Sequence, residues 1–344
     1  MKADNLLRRI LLQRLPISTY MKWAERYNNL LSPLSERQMK RPVDDYIIDC
    51  NLPLIYISQS PRCGGTLLRN LLDSHPQLHV YPYELSWQKN GYEWEEDLQK
   101  DAATLSRLKD HWLTNAIRNG VDRRIPFYFN QSIQKRIFLK QEAVTSRDVL
   151  GAYMTSFFNA WTNYQGLYGE KEYCAAFCPW NSATKESVDR FFSIYPDGFR
   201  IHVIRDPRAW WASEKSYLQP DKSLETFLNS NWMPSVRDGF DRHEERPDRY
   251  ILINYEQLCL KPEQVLRRLC ESLKIRYSTS LLKPTVNRVG RKANTSYQKN
   301  RQGSQGISKT SVDSWKNNLN VDEIEVLKCE AIELYSLATN KCIA

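Results

Sequence analysis

The sequence has no run of 18 apolar residues and nothing like a secretory leader, so no segment reads as crossing a membrane and a reduced cytoplasm is the expected location. Cysteine is sparse and scattered. Cys50, Cys63, Cys174, Cys178, Cys259, Cys270, Cys329 and Cys342 include no C-x-x-C pair, which leaves neither a zinc ribbon nor a disulfide framework legible. Cys174 and Cys178 have no second Cys or His pair close in sequence and read as small core residues. In a reduced compartment the sequons at Asn130 and Asn294 are incidental. Internal repeats and low-complexity tracts are missing too, which excludes solenoids and long disordered arms. What is present is a chain of 344 residues, 41% apolar, long enough to bury a large core. An excess of 49 basic over 40 acidic residues, net +9, favours an anionic partner.

One stretch organises the rest. Leu54 to Ser58 is a short apolar run, Gln59 to Gly65 a polar turn with Pro61 and two glycines, and Thr66 to Leu72 an amphipathic helical pattern. Strand, loop and helix in that order make an anion cradle. Gly64 and Gly65 let the backbone approach a ligand, N–H groups at the helix start point at it, and Arg62 adds positive charge. The expected ligand is a phosphate or sulfate ester. The helix should end near His75-Pro76, because a residue before proline is pushed out of the helical region.

Ahead of this motif, residues 1–50 form a helical extension, with Leu6 to Trp23 amphipathic and carrying Arg8, Arg9 and Arg14, suited to packing on the body or to a membrane surface. A second extended stretch follows the motif at Leu78 to Pro82, with Glu84 just beyond it. Residues 88–170 turn charged and aromatic and read as a helical insertion, with helices over Leu98–Ile117 and Val149–Trp161 and a basic, aromatic loop at Arg123–Asn130. The insertion is a candidate acceptor-binding lid. Strands resume at Tyr173–Cys178, Phe199–Ile204 and Tyr250–Asn254, with helices near Lys185–Tyr195, after Asp206-Pro207 and at Pro262–Leu273. Alternation of this kind predicts one α/β domain, three layers α/β/α around a central parallel sheet, closed by a C-terminal loop and helix over 276–344. Arg205 then stands where a strand gives way to a helix, a second anion site on the same sheet edge as the first.

Pro61-Arg62-Cys63-Gly64-Gly65-Thr66 resembles the P-loop-like 5′-phosphosulfate loop of the sulfotransferases, and Arg205 through Ser213 is similar to their 3′-phosphate segment. Tyr255-Glu256-Gln257-Leu258 resembles a strand end of the protein-tyrosine branch, and Ile307 to Lys316 the family's late basic loop. The resemblance covers about residues 53–87 and 172–275. It implies an enzyme that transfers a sulfuryl group from 3′-phosphoadenosine 5′-phosphosulfate (PAPS) to an acceptor hydroxyl without a metal. By the same resemblance the donor is held by Arg62, Cys63, Gly64, Gly65, Thr66, Leu67, Arg205, Ser213, Tyr255 and Lys309, with Arg62 stabilising the leaving phosphate. Cys63 replaces the usual Ser or Thr, Leu67 an aromatic residue, and no lysine stands near Cys178–Asn181 where the protein-tyrosine branch has one.

Glu84 is the expected base, with His75 and His79 as competitors. The acceptor could be a small molecule, a saccharide or a peptide. Phe127-Tyr128-Phe129, with Trp161 and Tyr164, favours a saccharide by ring stacking. Two other readings compete. A P-loop kinase or NTPase needs Gly-x-x-x-x-Gly-Lys-(Ser/Thr), which is missing, and a nucleic-acid binder needs a basic stripe or reader module, which is not seen.

Overall fold

The structure is a computed structural model that describes residues 47–85, 98–108, 129–179, 183–215, 223–291, 306–328 and 330–343. The amphipathic segment at 6–23, the loop residues Phe127 and Tyr128, and Asn294 lie outside them.

Five strands form one parallel sheet: β1 Leu54–Ser58, β2 Leu78–Glu84, β3 Tyr173–Cys178, β4 Phe199–Ile204 and β5 Tyr250–Asn254, ordered β2-β3-β1-β4-β5. All of their side chains are buried except at the ends of β2 and β3, as a sheet covered on both faces requires. Alternation sorts them. Ile55, Ile57, Ile201 and Ile253 face α1 (Gly65–Leu72) and, further along the chain, the helices Tyr255–Leu260 and Pro262–Ser272. Tyr56, Ile204 and Leu252 face the opposite cluster. That second layer draws on α2 (Gln131–Lys140), α3 (Ser146–Ala160), α4 (Lys185–Ile194), α5 (Pro207–Lys215) and α6 (Met233–Glu245).

β2 runs to Glu84 rather than stopping at Pro82, so Glu84 ends the strand instead of following it. β2 is an edge strand, where a proline that cannot donate to a ladder is tolerated. The described part of the 88–170 insertion is built into the main core. From Val149 to Ala160 every residue of α3 is buried, Tyr153 meets Tyr81 through their hydroxyls at 2.9 Å, and Thr155 and Asn159 bond the backbone of Cys50 and Ile48. Among the described residues seven cysteines are free thiols, six of them buried, as small core residues should be.

The sheet order places the site. β1 has β3 on one side and β4 on the other, so the chain leaves the carboxyl ends of β1 and β4 in diverging directions and opens a crevice between them.

Candidate active site

The loop after β1 is held in an unusual backbone shape. Arg62 has φ 65° and Gly64 φ 108°, both left-handed, and a Cβ on Gly64 would come within 2.2 Å of the Tyr255 ring. Gly64 begins α1 without any side-chain cap, while its carbonyl takes the N–H of Leu67 (2.9 Å) and Leu68 (3.2 Å). The N–H groups at the helix start therefore point at the crevice with no capping oxygen. Outside the loop, Ser235 of α6 accepts from the N–H of Ser60 (3.0 Å) and the Pro61 carbonyl accepts from Trp210 Nε1 (3.1 Å).

The two expected anion sites meet. Arg62 Nε donates to Ser213 Oγ at 3.1 Å, and Arg205 Nη1 donates to the Arg62 carbonyl at 2.8 Å. Arg205 Nη2 donates to the Ser311 carbonyl at 2.8 Å, and its guanidinium lies 4.6 Å from the Tyr255 ring centroid. Two of the five N–H groups of Arg205 are thus engaged by carbonyls, one on each terminal nitrogen, which leaves each of these nitrogens a second N–H. Asp206 opens α5 as expected, its carboxylate accepting from the N–H of Arg208 at 2.8 Å.

Below this turn lies Glu256. It accepts from the N–H of Asp206 (3.2 Å) and from Tyr335 O–H (2.9 Å), and burial raises its pKa to about 7 against the pull of the Arg205 charge. Glu214, next to Ser213, is 4% exposed, and burial raises its pKa although the Arg62 charge opposes the shift. Around the loop, Gln59 Oε1, Ser60 Oγ, Arg205 Nε and Glu214 Oε2 are buried without a hydrogen-bond partner among the described residues. Unmet polar atoms are costly in a native interior, and here they gather where a polar ligand is expected.

The remaining expected residues divide. Gly65 and Thr66 stand at the helix start, but Cys63 is 1% exposed and packs into the core, its thiol pushed well above the ordinary range by burial. It has only its backbone to offer. Leu67 is fully buried among Leu68 and Leu71. Tyr255 is 3% exposed beneath Gly64, its hydroxyl 2.9 Å from Ser311 Oγ, so it supports the loop from below. Lys309 is exposed at the start of the short helix Thr310–Asp313. In that late segment Ser311 and Trp315 are what reach the site, Trp315 lying 4.2 Å from the Arg208 guanidinium.

On the other side of β1, Glu84 pairs in register with Phe177 and stands at the same carboxyl edge. Arg69 of α1 feels its charge: burial lowers the Arg69 pKa to about 10 while Glu84 acts against that shift. The competing histidines are both hydrogen-bonded within the fold. His75 Nδ1 accepts from the N–H of Gln77 (3.2 Å), so its Nε2 donates to the Arg276 carbonyl (2.7 Å), and His79 Nδ1 meets Tyr164 O–H (2.9 Å). Sequence reasoning passed over Gln59, Arg69, Glu214 and Glu256, although Gln59 and Glu256 both lie inside motifs it had singled out.

Three comparisons bear on this arrangement. The model of the sulfotransferase family matches residues 53–279. The protein-tyrosine sulfotransferase of Drosophila melanogaster is 23% identical over 266 residues, covering 74% of this chain and 45% of its own length. Protein-tyrosine sulfotransferase 1 of Danio rerio is 23% identical over 244 residues, covering 69% of this chain and 57% of its own. The chain thus spans about half the length of these relatives. A solved sulfotransferase domain from the Synechococcus PCC 7002 olefin synthase covers 85% of this chain and 96% of that one, with a TM-score of 0.49 at 20% identity. The relatives overturn the expectation of a reduced cytoplasm, because protein-tyrosine sulfotransferases act in the Golgi lumen. No helix among the described residues is long and apolar enough to cross a membrane.

Proposed function

Because this chain belongs to the sulfotransferase family, we propose that it moves a sulfuryl group from PAPS to the hydroxyl of a tyrosine on a polypeptide. The observation that carries the donor is the meeting of two anion-binding turns at the ends of adjacent strands, tied by Arg62 to Ser213 and by Arg205 to the Arg62 carbonyl. A nucleotide with phosphate at both the 5′ and 3′ positions needs two such turns. A mononucleotide triphosphate needs one.

In this reading the bridging S–O bond breaks and the leaving phosphate gains charge. Arg62 and the N–H groups of Gly64, Gly65 and Thr66 face that charge and stabilise the transition state more than the bound donor. Arg205, through its remaining terminal N–H groups, and Ser213 hold the 3′-phosphate. The acceptor oxygen forms the new S–O bond, and its proton passes to Glu84.

The tyrosine acceptor is supported by the names of the relatives. Of the rings on which the saccharide expectation rested, Phe129 and Trp161 are 9% and 2% exposed and pack against Phe157 in the core, while Phe127 and Tyr128 lie outside the described residues. Calorimetric titration tests the donor: adenosine 3′,5′-bisphosphate should bind without magnesium and in preference to magnesium ATP, and the reverse order would overturn the reading. Labelled PAPS offered to tyrosine peptides and to a saccharide panel tests the acceptor. Label on saccharides alone would replace the tyrosine.

A further inference from the structure

We propose that the side-chain amide of Gln59 is a catalytic group that donates a hydrogen bond to the sulfuryl group in transit. The proposal rests on the donor reading above and adds to it a residue that neither the loop's charge nor its glycines account for.

Gln59 is the first residue beyond β1, and its side chain is only 1% exposed. It turns under the start of α1. A Cβ on Gly65 would come within 2.4 Å of Gln59 Nε2, 2.7 Å of Gln59 Oε1 and 2.4 Å of the Phe177 ring. Gly65 has an ordinary backbone conformation for any residue, since its φ is not among the positive ones. Glycine is needed at 65 for space, and the space is taken by this amide.

The amide is not there to complete the core. Its Oε1 is buried with no hydrogen-bond partner among the described residues. A methionine would fill the same volume and leave no polar atom unmet. A buried amide that serves neither packing nor the protein's own hydrogen bonding is available to a ligand.

Its position selects which part of the ligand. Phe177, the other wall of the space, pairs in register with Ile57 of β1 and with Glu84 of β2. Gln59 therefore stands on the β3 side of the loop, between the N–H groups that take the leaving phosphate and the strand that ends in Glu84. A group passed in line from that phosphate to an acceptor oxygen at Glu84 crosses this interval. During transfer the sulfuryl oxygens carry negative charge, and a neutral N–H2 aimed at them stabilises it without competing with Arg62 for the phosphate.

Titrations of three proteins test this: wild type, Gln59→Met and Gln59→Glu, each with adenosine 3′,5′-bisphosphate, which lacks the sulfuryl group, and with PAPS, alongside a thermal melt. Gln59→Met should melt no lower than wild type, bind the bisphosphate within about twofold of wild type, and bind PAPS at least tenfold more weakly, with turnover reduced by a similar or larger factor. Gln59→Glu, the same shape with a charge, should lose more for PAPS than for the bisphosphate. An unchanged ratio of the two affinities in Gln59→Met would overturn the proposal, and an equal loss of both ligands would make Gln59 a scaffold residue and overturn it as well. Failure of wild type to bind either nucleotide would remove the donor reading and this proposal together.

Discussion

Replacing Arg205 by alanine should cost the protein twice, and the two costs can be measured apart. The side chain makes two charged hydrogen bonds, to the Arg62 and Ser311 carbonyls at 2.8 Å each, and stacks on Tyr255 at 4.6 Å. Bonds of this kind contribute about 1.5–3 kcal/mol apiece and the stacking about 0.5–2 kcal/mol. The three share one side chain and do not add fully. Removal also takes from Glu256 the cation that opposes its raised pKa, so the loss should be at least that of one charged hydrogen bond, about 1.5–3 kcal/mol. Urea titration of wild type and Arg205→Ala reads this first cost. The second is read by a cycle of two proteins and two ligands, adenosine 3′,5′-bisphosphate and adenosine 5′-monophosphate, which differ only in the 3′-phosphate. Wild type should prefer the bisphosphate by roughly 2–3 kcal/mol and Arg205→Ala should show almost no preference. Arg205→Lys, which keeps the charge but loses the fork, should fall between them. A mutant that keeps the full preference would place the 3′-phosphate elsewhere, and one as stable as wild type would refute the bridging role.

Glu84→Gln should leave bisphosphate affinity unchanged and lower turnover on a tyrosine peptide by about two to four orders of magnitude; undiminished turnover would assign the base to another group. Gly64→Ala forces a Cβ to within 2.2 Å of the Tyr255 ring at φ 108°. It should destabilise the protein by at least about 1–3 kcal/mol and abolish bisphosphate binding, as chemical denaturation and calorimetry would report, whereas wild-type behaviour would mean the loop has another accessible shape. Glu256 titrates near 7 in the folded chain but near 4.3 when unfolded, so the folded state binds the proton more tightly and stability falls as pH rises between those values. Glu256→Gln should flatten that decline in urea midpoints measured from pH 4.5 to 7.5. An unaltered slope would assign it to other groups.

Four of the five strands, Leu54–Ser58, Tyr173–Cys178, Phe199–Ile204 and Tyr250–Asn254, lie where the sequence puts them, because each is a short apolar run stopped by a turn or cap residue. Pro82 hid the end of β2, since a proline looks like a terminus unless the strand is known to lie at an edge. α2 was hidden by Asn130, read as part of a glycosylation sequon; it caps the helix instead, its side-chain oxygen accepting from the N–H groups of Ser132 and Ile133. α3 was legible as a helix over Val149–Trp161, and it begins one turn earlier, at Ser146, where Thr145 and Asp148 form a capping box. In the candidate site the cationic turns were legible as local motifs. Glu256 under Asp206, Gln59 under Gly65 and Ser311 on Arg205 were not, because each joins residues through packing that no local spacing encodes.

The clasp of Arg205 also bears on how the protein is made. Its carbonyl partners lie 143 residues before it and 106 after it, so a ribosome that has delivered the loop, β4 and α5 has still not delivered the segment that closes over them. Contacts of such separation are slow to form, and until they do the chain exposes a cationic crevice and an unfinished sheet. A nucleotide that binds only the closed arrangement would stabilise that last step by mass action, acting on the newly made chain as a folding ligand before it ever acts as a substrate.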